Sequence, residues 1–189
     1  LLMQKTESKT FNHIKVHSQY SICEGAIKID DLKEFCKKNK VKSIGISDTE
    51  NLCGALEFSE NISKSGTQPI IGTQINFKLD GEIGLIPLIA KNEEGYKNII
   101  SLSSKSYLSN DNLSDPHCNI SELLKSLNGV IILSGTINGL FGKLFSKGKI
   151  QEIQKIYQSL NQIHKENFYI EIQRHNDLNE KNFEELNLS

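Results

Sequence analysis

The chain reads as an α/β protein built from β/α units around a largely parallel sheet, and three observations predict this. Short apolar runs such as 41–47 (VKSIGIS) and 129–134 (GVIILS) have the length and β-branched content of buried strands. Longer stretches at 93–106 and 149–163 carry apolar residues at helical spacing. The two kinds of segment alternate along the chain, with helical runs of about 10–15 residues between strands.

Residues 1–10 are polar and are expected to form a flexible N-terminal segment ahead of one domain over 11–189. Near-alternation at 13–17 predicts a first strand, and 21–25 is turn-like. Asp30 then precedes Leu32, Phe35 and Cys36, apolar at helical spacing with lysines on the other side. The strand at 41–47 ends at Asp48, and a second helix is expected over 52–65, closed by Gly66. A strand over 69–77 leads into Asp80-Gly81, a hairpin signal. Pro87 within the run 84–90 suits an edge or a bulge, because proline cannot donate to a sheet ladder.

Beyond the helix at 93–106, a Ser-, Asn- and Asp-rich loop covers 108–119 and a short helix starts at Ser121. Strand 129–134, helix 149–163 and strand 168–173 follow, and 180–186 begins a further helix. A closed barrel would need at least one more β/α unit, so the domain is expected to be truncated before its final unit.

Composition narrows the function. Lys and Arg total 22 against 23 Asp and Glu, a net charge of −1 that argues against a free-standing nucleic-acid binder. For the stretch Lys37-Lys38-Asn39-Lys40, phosphate contact is the alternative reading, but it lies at a helix end, where a solvated face is the default. No apolar run approaches the roughly 20 residues that span a bilayer. The first six residues are too few and too polar for a signal peptide. Cys23, Cys36, Cys53 and Cys118 are scattered, form no CxxC pair, and are expected as small buried residues in a reducing cytoplasm.

Functional residues of β/α folds gather where parallel strands end. His17 follows the first strand, Asp48 the second and His175 the last, Gln74 lies within the third, and Glu24 occupies the loop after His17. Imidazole and carboxylate together suit zinc or manganese, and paired ions about 3.5–4 Å apart would clamp a phosphoester. The alternative is structural: such residues also cap helices, and Asp48 stands ahead of a helical stretch.

Six segments in order resemble one family. His13-Ile-Lys-Val-His17-Ser-Gln-Tyr-Ser21-Ile-Cys-Glu-Gly25 is similar to the first motif of the PHP (polymerase and histidinol phosphatase) domains of bacterial replicative polymerase III alpha subunits. Asp48-Thr-Glu-Asn-Leu-Cys-Gly54 resembles the second, and Pro69-Ile-Ile-Gly72 the next strand. Ala90-Lys-Asn-Glu-Glu-Gly-Tyr96-Lys-Asn98, Ile132-Leu-Ser-Gly135 and Tyr169-Ile-Glu-Ile-Gln-Arg-His175 complete the series. The resemblance implies a distorted, seven-stranded, TIM-like β/α barrel with metal ligands at the strand ends.

Against that pattern, Lys15 replaces the first histidine of a His-x-His pair, Thr49 a histidine, Gln74 a carboxylate and Leu85 another histidine. His17, Glu24, Asp48 and His175 remain as a vestigial metal set, with Glu24 standing where aspartate is usual. The resemblance therefore implies a catalytically inactive scaffold, without a cofactor beyond a residual zinc or manganese ion. Its implied partners are the rest of the polymerase alpha subunit, a proofreading exonuclease (epsilon) subunit and, through the full-length protein, DNA; no membrane is involved. Lys15 is expected to replace the lost cation by pairing with Asp48 or Glu24. The alternative implied by relatives with full motifs is a metal-dependent phosphoesterase or 3′–5′ exonuclease.

Overall fold

A computed structural model describes residues 11–109, 114–125, 127–175 and 177–188. The segment 1–10, expected to be flexible, lies outside the described residues. The elements run α1 (Ile29–Asn39), β1 (Ser43–Thr49), α2 (Ala55–Lys64), β2 (Gln68–Leu79), β3 (Glu82–Ala90) and α3 (Glu93–Leu108). They continue with β4 (Cys118–Asn119), β5 (Val130–Leu133), α4 (Leu140–Ser146), α5 (Ile150–His164), β6 (Phe168–Tyr169) and α6 (Leu178–Leu188).

The described strands form one six-stranded sheet in the order β1-β2-β3-β5-β6, with β4 pairing β2 to one side. The sheet is mixed rather than largely parallel. β1–β2, β2–β4 and β5–β6 are parallel, whereas β3 runs antiparallel to both β2 and β5. The cause is the Asp80-Gly81 turn, where both residues have positive φ (49° and 84°), the backbone of a tight hairpin.

β3 is interior, not an edge. Pro87 sits opposite Gln74 in an unbroken register, one residue outside the last pair with β5, Leu88 with Ile132. The strand thus takes its proline where pairing on one side stops. The expected first strand is an extended segment beside β1: Gly45 N donates to His13 O (2.6 Å), Val16 N to Gly45 O (3.0 Å) and Ser47 N to Val16 O (2.8 Å). The helix expected from residue 52 starts at Ala55, the strand expected over 168–173 pairs only at Phe168–Tyr169, and α4 and β4 have no counterpart in the sequence reading.

Alternation sets the two faces of the sheet. In β2, Ile75 and Phe77 are buried under the helices, so Gln74 and Asn76 face the other way. One apolar cluster packs α1 and α2 on β1 through Ile29, Leu32, Cys36, Ile44, Ile46, Phe58 and Ile62. The larger cluster packs α3, α4 and α5 on β2, β3 and β5, with Leu88, Ile99, Leu140, Phe141, Ile153 and Leu160 at or near zero exposure. Each such side chain contributes about 1.5–3 kcal/mol on burial. Cys36 and Cys118 are buried as expected, and burial pushes the Cys118 thiol up to about 11; Cys23 and Cys53 are exposed instead. Among the described residues no helix is long and apolar enough to cross a membrane.

Candidate functional site

The polar groups meet where β1 ends, opposite Gln74 in the middle of β2. Asp48, near the end of β1, is 2% exposed. Its carboxylate accepts from Ser18 N (2.7 Å), Ser18 Oγ (2.7 Å) and Ser21 Oγ (2.8 Å). Asp48 is therefore not the cap of α2, whose first position follows Gly54 without a side-chain bond. It holds the loop after the first segment instead. That loop is tight: a Cβ on Gly25 would lie 1.9 Å from Ser18 O, so the chain can close only over glycine.

Hydrogen-bond bookkeeping fixes the neighbouring roles. Ser21 spends its one proton on Asp48 and accepts from Thr49 N (3.1 Å), so toward His17 Nδ1 (3.3 Å) it can only accept. His17 Nδ1 then carries the ring proton and Nε2 presents a lone pair. The Gln74 amide meets that lone pair (3.4 Å) and also donates to Thr49 Oγ1 (3.3 Å). Thr49 Oγ1 in turn donates to Glu24 Oε2 at 2.5 Å. His17, Glu24 and Asp48 are thus joined through Ser21, Thr49 and Gln74.

Lys15 does not pair with Asp48 or Glu24. Its Nζ lies 2.8 Å from Glu171 Oε1, with the two side chains only 16% and 13% exposed. The reason is geometric: Asp48 is already engaged by serines, while Glu171 follows β6 across a gap from the first segment. Gln173 Nε2 also donates to Glu171 Oε1 (3.0 Å), and Glu171 N donates to Ser134 Oγ (2.9 Å). Among the described residues, Glu171 Oε2 and Ser47 Oγ are buried without a partner.

His175 does not reach this group. Its Nδ1 lies 2.6 Å from Glu180 Oε1 and its backbone N donates to Glu180 Oε2 (2.7 Å), leaving the imidazole 70% exposed. These bonds hold the Glu180 carboxyl below its usual range. Leu85 contributes an apolar wall to a cleft of roughly 600 Å³ that Lys15, His17, Glu24, Gln74 and Glu171 also line. Among the described residues no group of three or more His, Cys, Asp or Glu side chains is placed to hold a metal ion. An ion binding at His17 or Glu24 would have to displace the Gln74 or Thr49 donor.

Sequence reasoning missed Ser18 and Ser21, whose spacing in a turn next to a buried aspartate is the signal that could have found them. It also missed Glu50. This residue sits at φ 59°, takes a hydrogen bond from Asn76 Nδ2, and has its carboxyl pushed up, mainly by burial.

The PHP domain family model matches residues 13–175. A DNA polymerase III subunit alpha of Caulobacter vibrioides is 35% identical over 181 residues, covering 92% of this chain and 16% of that protein. The subunits of the same name from Rickettsia felis and Haemophilus influenzae are 37% and 32% identical, with 92% of this chain covered and 14% and 15% of theirs. The chain spans about one-sixth of the length of these relatives. Among solved structures, an amidohydrolase from Chromobacterium violaceum overlays 50% of this chain and 32% of its own, at 12% identity and a TM-score of 0.41, too slight a likeness to argue from.

Proposed function

This chain belongs to the PHP domain family, and we propose that it is the amino-terminal domain of a bacterial DNA polymerase III alpha subunit, acting as a scaffold rather than a metal-dependent hydrolase. In this reading it is a seven-stranded, TIM-like barrel that a further β/α unit completes along the gap between β6 and the first segment. The remainder of the alpha subunit is its first partner and carries polymerisation, and the full-length protein engages DNA. A proofreading exonuclease (epsilon) subunit docks on the domain, and the assembly works in the cytoplasm.

One observation carries the scaffold reading: the Gln74 amide directs its donors at His17 Nε2 and Thr49 Oγ1, the place a cation would take. A cation accepts lone pairs, and here N–H groups already accept that role, so the strand ends hold together without a metal. Zinc or manganese would bind weakly, at His17, Glu24 and Asp48.

Elemental mass spectrometry of the purified chain after dialysis against zinc and manganese tests this. The expected content is under about a tenth of an ion per chain, against ~1 or more for a structural or catalytic site. Two ions held stoichiometrically would replace this reading with a metal-dependent phosphoesterase or 3′–5′ exonuclease. The unpartnered, buried Glu171 Oε2 is the feature that favours that second reading.

A further inference from the structure

The cations of this chain are unevenly used. Lys105 and Lys125 share Glu122, Lys147 holds Glu82, Lys149 holds Asp80 and Lys97 holds Glu93. Among the described residues Lys33, Lys37, Lys38, Lys40 and Lys42 have no ion pair or side-chain hydrogen bond; Lys28, Lys78, Lys155, Lys165 and Lys181 share that state, but the first five lie within ten consecutive residues. Residues 33–42 hold these five lysines and one acid, Glu34, so the segment carries +4 while the rest of the chain, 17 basic and 22 acidic residues, carries −5.

The helix dipole accounts for only part of this. Lys37 and Lys38 lie in the last turn of α1, where a cation is stabilised by about 0.3–1 kcal/mol. Lys40 is already past the helix, in a left-handed conformation (φ 51°) that ends α1, and Lys42 stands one residue before β1. Lys33 is two turns from the C-terminus. Like charges this close repel, yet Lys37, Lys38, Lys40 and Lys42 are exposed and Lys33 half-buried, with Glu34 the one acid among them.

Their place also separates them from the cleft. Lys42 O accepts from Gln68 N at the start of β1 and β2, whereas the polar network lies at Thr49, six residues along β1 and roughly 20 Å away at strand rise. A ligand here would leave the cleft free.

We propose that Lys33, Lys37, Lys38, Lys40 and Lys42 form a surface that binds the phosphate backbone of double-stranded DNA. A row of unpaired ammonium groups gains from counterion release on a polyanion, without any reading of base sequence. The choice of DNA as the polyanion rests on the reading of this chain as part of a DNA polymerase.

The test is anisotropy of a fluorescent DNA duplex titrated with the chain, comparing wild type with the variant Lys37→Gln/Lys38→Gln/Lys40→Gln/Lys42→Gln. Wild-type affinity should fall roughly a hundredfold between about 50 and 200 mM salt, as about four phosphate contacts require. The variant should bind at least ~10-fold more weakly at the lower salt, with an almost flat salt dependence and an unchanged circular dichroism spectrum. Absence of wild-type binding, or a variant that binds as wild type does, would overturn the proposal. So would poly-glutamate that displaces the duplex charge for charge, since the surface would then be a general polyanion site. Metal content measured on the same sample keeps the two readings apart. Lysine-dependent DNA binding by a chain that holds stoichiometric metal would remove the scaffold reading and support this one. A metal-free chain indifferent to DNA would do the reverse.

Discussion

Lys15 Nζ and Glu171 Oε1 stand 2.8 Å apart and tie the extended segment beside β1 to the chain that follows β6. These extended segments lie at the two sides of the sheet, and among the described residues this ion pair links them directly. Both side chains are largely buried, which makes the pair costly to break from one side. Lys15→Ala leaves the Glu171 carboxylate with Gln173 as its remaining donor, and should destabilise the chain by about 1–3 kcal/mol after allowing for partial solvent screening. That corresponds to a loss of roughly 3–10 °C in melting temperature. The double change Lys15→Met/Glu171→Leu should recover much of the loss. Thermal unfolding checks both, and an unchanged Lys15→Ala melting point would mean that the lysine is merely solvated.

Asp48 is the second point of tension. Its three donors are all buried or nearly so, and Asp48→Ala leaves Ser18 N, Ser18 Oγ and Ser21 Oγ without an acceptor. Unsatisfied buried donors cost about 1–3 kcal/mol each when nothing replaces the partner, so an overall loss of about 3 kcal/mol or more is expected in denaturant unfolding. Asp48→Asn should lose less, because its carbonyl still accepts from Ser18 N. Equal losses would show that the charge, not acceptor geometry, holds the loop.

How much of this was written in the sequence depends on range. Asp80-Gly81 marked its hairpin correctly, because a tight turn needs positive φ at adjacent positions and this pair supplies it. The reversal of β3 follows from that local turn, whereas its interior position, with Pro87 inside the sheet, depends on β5 coming to pair with β3, a non-local choice. α4 has no counterpart in the sequence reading, and Gly142 is glycine there to let the helix approach Ile137 O. His17, Glu24 and Asp48 come together at the end of β1, whereas His175 turns to Glu180, five residues on. The partner of Lys15 lay 156 residues away, beyond any local pattern.

Gln74 offers a gain-of-function test. Gln74→Glu exchanges two N–H donors for acceptors, so the links to His17 Nε2 and Thr49 Oγ1 are lost. Glu24 and His17 would then face a second carboxylate, an arrangement that favours a cation. The variant should melt below wild type without metal and gain melting temperature on zinc addition, by linkage to binding of the folded state. A variant indifferent to zinc would show that Gln74 is not what keeps the metal out.

Glu50 gives a pH prediction with a definite sign. Burial is the main cause that raises its carboxyl above the ordinary 4.5, outweighing the Asn76 hydrogen bond, with Asp115 and Glu24 adding repulsion. A carboxyl raised by folding means that the folded state binds the proton more tightly than the unfolded one. Ionised Glu50 therefore destabilises the fold at neutral pH, and this handicap shrinks as pH falls through the raised value and vanishes below 4.5. Glu50→Gln removes the charge and keeps a side-chain carbonyl for Asn76 Nδ2. The expected outcome is a melting temperature above wild type at neutral pH, with the two proteins converging at acid pH. A constant difference at all pH values would instead trace the effect to packing around the left-handed residue, and the burial of a charge at the end of β1 would no longer be the cause.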